Sequence, residues 1–138
     1  MQQMVMLNTR PQDAYRKQDV LTASPIDLII MLYDALKRNI VMGKRGIQNK
    51  NVPTAHKHLM KAQMILTELI NSLDMNYQIS EELLELYEFA LKNIAEANVH
   101  KDIQPLDPVL EMVDSIREAW KEISNSSRGT MQLGEERA

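Results

Sequence analysis

The residues of this chain that bear on chemistry are three histidines and a run of glutamates, with no cysteine beside them. His56 and His58 stand two apart, so on a helix they point in different directions and cannot share one metal ion. His100 is distant in sequence and falls beside an expected loop. Glu81, Glu85 and Glu88 share a helix face, but no Glu-x-x-His pair supplies the partner ligands of a di-iron bundle. They read as a solvated face. Glycine-rich phosphate loops, GxSxG elbows and nucleophiles with an evident base are all missing. The sequence therefore expects no cofactor, no metal and no enzymatic activity.

One weak pattern remains. HKHLMKAQ at 56–63 is similar to a histidine phosphotransfer segment, in which a histidine on a helical bundle carries a phosphoryl group. In that reading His58 is exposed and accepts phosphate. Ala62 stands where such segments usually have a glycine that lets the partner approach. A surface histidine without a role is the simpler account.

The elements that position these residues are helices. Ser24 suits an N-cap, Pro25 the first helical position, and Asp27 stands in capping-box spacing. From there Ile29, Leu32, Leu36, Ile40, Gly43 and Ile47 follow three-four spacing. A second segment starts near Pro53 and steps through Ala55, Leu59, Ala62, Leu66, Leu69 and Leu73. A third takes Ser80 as N-cap and carries Leu83, Tyr87, Ala90, Ile94 and Ala97. A fourth opens at Asp107 and Pro108, carries Val109, Val113, Ile116, Trp120 and Ile123, and ends at SNSSRG. Strand alternation and tight hairpin turns are absent. Four seams joined by short connections predict an all-α fold, an antiparallel four-helix bundle. Met4, Val5, Met6, Leu7 and Tyr15 are apolar without helical periodicity, which suits a cap lying across the bundle. The expected organisation is a cap segment at 1–24, the bundle at 25–124 and a flexible tail at 125–138.

The seams do not use up the apolar residues. A bundle helix needs about three apolar positions in seven. The first helix adds Leu28, Ile30, Met31, Tyr33 and Ala35. The second adds Met60, Met64, Ile65 and Ile70. The third adds Leu84, Leu86, Phe89 and Leu91. Two accounts compete: a wide core stripe with the N-terminal arm over the remainder, or an outer apolar groove for another chain. Methionine favours the groove, because its flexible thioether adapts to irregular partners. A homodimer interface is a further use for the same surface.

Composition narrows the classes. The chain has 138 residues, 44% of them hydrophobic, enough for one aliphatic core. Its net charge of −3 argues against a nucleic-acid or membrane-surface partner. Lysines and arginines gather at 37–50 and glutamates at 81–96, as solvated faces of opposite sign. The N-terminus MQQMVMLNTR is not a secretory signal, and no apolar run spans a membrane. Absent cysteine fits a reducing compartment.

The order of short patterns is specific. AY at 14–15, VLTASP at 20–25, LI at 28–29 and MLYD at 31–34 are followed by KAQMILTELINSLD at 61–74 and LLELYEFALKNIAEAN at 83–98. Asp102, Leu110 and IREAWKEI at 116–123 close the series. Across roughly 14–124 the chain resembles the flagellar secretion chaperones that bind flagellin. The resemblance implies a cytoplasmic, non-catalytic helical bundle, with no nucleic acid and no membrane insertion, monomeric or weakly dimeric when free. Its implied partner is the disordered C-terminal segment of flagellin, kept from premature polymerisation and handed to the export apparatus. A second partner, an export-gate component or a regulator, stays open. Tyr15 would belong to the cap. The groove residues would be Leu28, Ile29, Tyr33, Met64, Leu84, Tyr87 and Leu91, with Asn98 serving a backbone group at a helix end.

Overall fold

The computed structural model describes residues 25–137, and for residues 127–137 the backbone alone. It is an all-α four-helix bundle: α1 Pro25–Gln48, α2 Val52–Asn71, α3 Gln78–His100 and α4 Leu106–Arg137. Ser24, Tyr15 and the expected cap lie outside the described residues. The chain divides into two compact units, Leu32–Glu118 and Met1–Met31 with Ala119–Ala138. The first of these holds most of the core and parts of all four helices.

Within Leu32–Glu118 the expected seams of α2 and α3 are the ones buried, except for Leu73, which lies past the end of α2 and is half-buried. Ala55, Leu59, Ala62, Leu66 and Leu69 face inward from α2, and Leu83, Tyr87, Ala90, Ile94 and Ala97 from α3. Each large side chain in such a row contributes about 1.5–3 kcal/mol when taken out of water. In α1, Leu36, Ile40 and Gly43 are buried as expected, but Tyr33 and Gly46 take the places expected of Leu32 and Ile47, which are half-buried. Leu106, Val109 and Val113 complete the core from α4.

The turns explain the register. α1 ends with Lys50 in the left-handed conformation (φ 55°), and the Asn51 N–H donates to the Gly46 carbonyl at 2.8 Å. That pairing closes the helix end in the manner a C-terminal glycine usually allows. Asn51 then caps α2, its side-chain oxygen accepting from the Thr54 N–H at 3.2 Å. α1 and α2 are pressed together beside this turn. A Cβ on Gly46 would stand 2.7 Å from the Ala55 nitrogen, and one on Gly43 2.5 Å from Leu59 Cδ2. Both positions exclude any larger residue without movement.

Two helix starts differ from the sequence reading. Ser80 is not the N-cap of α3. The helix begins two residues earlier, Ser80 is buried, and its hydroxyl donates to the Asp74 carbonyl at 2.6 Å, tying α3 to the preceding loop. Asp107 and Pro108 already belong to the first turn of α4, which opens at Leu106. Nor does SNSSRG end α4, which continues to Arg137. Serine and asparagine lower helix propensity by tenths of a kcal/mol and one glycine by about 1, and no proline follows to stop the helix.

α1 and α4 meet along a charged edge. Asp34 pairs with Arg117, Lys37 with Asp114 at 2.8 Å, and Lys44 with Asp107 at 2.9 Å. A step forward along α1 is matched by an equal step back along α4, so the two helices run antiparallel in fixed register. In the other unit, the buried Ser124 hydroxyl donates to the Asp27 carboxylate at 3.1 Å.

Candidate partner-binding groove

The groove is built on α2 and α3. Their relative height is set where Asn98, in the last turn of α3, donates to His56 Nδ1 at 3.1 Å. From that level, helical spacing carries one side of α2 through His56, Met60, Gln63, Thr67 and Ile70. The facing side of α3 runs in the opposite sense through Ala95, Leu91, Glu88 and Leu84. Above the buried seams, Leu84, Leu91, Gln63 and Ile70 are half-covered. Met60 and Met64 stand 41% and 60% exposed on the outer lip. Gln63 Nε2 lies 3.7 Å from the Met60 sulfur. The result is a trough in which Met60, Ile70, Leu84 and Leu91 alternate with polar His56, Gln63, Thr67 and Glu88, with Met64 on its outer lip.

The floor is firm. Tyr33 of α1 and Tyr87 of α3 are 1% and 3% exposed, and their hydroxyls share a hydrogen bond at 2.5 Å. Their rings meet edge to face, 6.4 Å between centroids, a geometry adding about 0.5–1.5 kcal/mol to the burial. Burial, then the neighbouring Tyr33 hydroxyl, pushes the Tyr87 phenol far above its usual range, so it stays protonated. Both tyrosines read from the sequence as groove residues are thus core residues beneath it.

Asn98 is also buried, at 7%. Its side-chain oxygen and its carbonyl both accept from Lys101 Nζ, at 2.6 and 2.5 Å. Lys101 itself adopts the left-handed conformation (φ 51°) that closes α3. The expectation that Asn98 serves a backbone group is corrected: its side chain joins His56 to Lys101 and so locks the end of α3 to the start of α2. Asn98 Oδ1 is taken by the ammonium, so its amide nitrogen faces His56 Nδ1, which accepts.

The remaining expected residues do not belong to the unit that holds the trough. Leu28 and Ile29 are half-buried in the other unit, and Tyr15 lies outside the described residues. Of the apolar surplus in α3, Leu86 and Phe89 are exposed on sides of the helix away from α2. Met60 and Ile70, read from the sequence only as apolar surplus, and Gln63 also line the trough. Their spacing from Met64 and from the buried seam was the available signal.

His58 does not stand free on the surface. It is half-buried against α1, its Nδ1 2.9 Å from the Asn39 side-chain oxygen. Asn39 Nδ2 donates to the Ala35 carbonyl at 2.8 Å, which leaves its oxygen to accept and His58 Nδ1 to donate. Burial first, then Lys57 and Lys61, hold the His58 pKa below its ordinary value. A histidine fixed between two helices fits a packing role better than phosphoryl carriage. Among the described residues no three of His, Asp and Glu gather to hold a metal ion. No helix among them is long and apolar enough to cross a membrane.

Fold and trough together define a small helical bundle with one apolar edge and one ion-paired edge. The chain belongs to the FliS family: the family model described as "Flagellar protein FliS" matches residues 6–127. It is 31% identical to the flagellar secretion chaperone FliS of Bacillus subtilis over 86% of this chain and 89% of that protein. It is 34% identical to the flagellar secretion chaperone FliS of Vibrio cholerae, over 80% and 85% of the two chains, and 32% identical to that of Salmonella typhimurium, over 76% and 80%. These relatives are named as chaperones, not as enzymes, and the family supports a role in flagellar export.

Proposed function

We propose that this protein acts in the cytoplasm as the export chaperone of flagellin. It binds the C-terminal, polymerisation-prone segment of newly made flagellin, keeps it from assembling early and delivers it to the flagellar export apparatus. The observation that carries this reading is the α2/α3 trough, where Met60 and Met64 stand exposed beside the half-covered Leu84 and Leu91. An amphipathic segment laid there would cover the methionines and the leucines together, the arrangement of helix-in-groove recognition. Tyr33, Tyr87 and Asn98 would support the trough from below. Leu28, Ile29 and, through a cap at 1–24, Tyr15 are assigned to client binding on the family resemblance.

Titration calorimetry with a peptide of the last ~40 residues of flagellin, long enough to reach several anchors, tests the proposal. One-to-one binding with a large negative heat-capacity change is the expected result, since a disordered client must bury apolar area to order itself. No detectable heat at several temperatures would sink it.

A further inference from the structure

The trough has a charge polarity that its apolar lining does not need. At the end near the start of α3, the outward side carries Glu81, Glu85 and Glu88, all exposed. Towards the close of α3 the same rim carries Lys57 from α2, level with that close, and Lys92 from α3, one turn beyond Glu88, both exposed, with Glu96 the one carboxylate beside them. The His56–Asn98 contact fixes this alignment. Glu85 and Lys57 are separated along the trough by about 18 Å at 1.5 Å per residue. That exceeds the ~8 Å screening length at physiological salt, so the two extremes of the trough act as separate fields, and Glu88 and Lys92, one turn apart, mark where the sign changes.

We propose that this gradient sets the direction in which a client helix lies. The occupant is an amphipathic helix with a basic N-terminal half and an acidic C-terminal half, running parallel to α3. Its positive N-terminal end, in dipole and side chains, rests over the glutamates, and its negative C-terminal end rests over the lysines. The reverse orientation sets like charges against each other at both ends. The inference rests on the trough being the client site and adds the polarity of the client within it.

Two designed peptides of about 15 residues, the ~22 Å length of the trough, test this on the full chain. Both carry the same leucine and methionine anchors. One has lysines in its N-terminal half and glutamates in its C-terminal half, and the other has these exchanged. The first is expected to bind about tenfold more tightly at low salt, from several exposed pairs acting together, with the gap closing near 0.5 M salt. Glu85→Lys with Glu88→Lys, both on exposed positions, is expected to abolish or invert the preference while the circular dichroism stays unchanged. Because the chain has no cysteine, Asn71→Cys places one thiol at the glutamate end. It should form a disulfide with the favoured peptide bearing an N-terminal cysteine and not with a C-terminal one.

Equal affinity of the two peptides, failure of both to bind, a preference untouched by the double charge reversal, or trapping of the C-terminal cysteine would each overturn the polarity. The flagellin segment, titrated alongside, separates this from the proposed function. If it binds while the designed peptides are not distinguished, the direction is wrong and the client reading stands. If the peptides are distinguished and it does not bind, the polarity stands and the client is another helix.

Discussion

The two edges of this bundle are built on opposite rules. Along α1 and α4, three cation–carboxylate pairs sit over the apolar seam at matched positions, so the surface is polar and the register is set by charge. Along α2 and α3, exposed Met60 and Met64 and half-covered Leu84 and Leu91 stand among the charged outer residues. Exposed ion pairs add little stability, typically 0–1 kcal/mol each, but they make a surface that no apolar chain will cover. A methionine-lipped trough does the reverse. It leaves apolar area in water that a partner can remove. On the proposed function, the first edge is finished in the free protein and the second is the one that receives the client.

The largest expected effect falls on the receiving edge. Met64→Glu should weaken binding of the flagellin segment by roughly 30- to 150-fold, about 2–3 kcal/mol for one buried anchor replaced by a charge. The melting temperature should barely move, because Met64 is already exposed in the free protein. A loss of stability equal to the loss of binding would place Met64 in the core and erase the contrast.

Next comes the contact that joins the two edges. Gly46→Ala presses a methyl group onto the Ala55 backbone and should cost about 1–3 kcal/mol of folding stability by chemical denaturation. An unchanged midpoint would show that α1 and α2 can part without penalty.

On the finished edge the effect should be smaller. Arg117→Ala breaks a pair whose partners are both partly exposed, so about 0.5–1 kcal/mol is expected, diminishing in high salt. Client affinity should be unaltered. A double-mutant cycle with Asp34→Ala isolates the pair, and a change in client affinity would mean that this edge also receives.

The smallest effect is in pH. The folded His58 pKa lies below its ordinary value of 6.5, so the unfolded chain binds the extra proton first. The His58 contribution is therefore complete above pH 6.5 and is lost as pH falls through 6.5 toward the folded pKa. Thermal melts from pH 7.5 to 5.5 should show this slope, and His58→Gln should flatten it. Identical slopes in the two proteins would remove His58 from the account.

Much of this was legible in the chain. α2 and α3 have one clean apolar stripe each, with polar residues between, and those stripes are the buried ones. The surplus beside them, Met60, Met64, Leu84 and Leu91, is exposed or half-covered, because residues a few positions off the seam must lie at its margin. α1 was harder. LIIMLY at 28–33 is apolar on every side, so periodicity alone supports more than one stripe. Ile30 and Tyr33 are buried where Ile29 and Leu32 fit the spacing equally well.

What the sequence by itself determined is the helical class, the four helices of the described residues and the inward faces of the two middle ones, since local periodicity and caps act within a few residues of chain. What only the tertiary structure decided is which aromatic points in and which histidine is held. Tyr33 turns inward because Tyr87, far along the chain, offers its hydroxyl a partner in the core. His58 leaves the surface because Asn39 meets it from another helix. Asn98 becomes a clasp because His56 and Lys101 arrive at its two ends. A buried polar group goes where its hydrogen bond can be made, and for these residues that place exists only once the helices have packed.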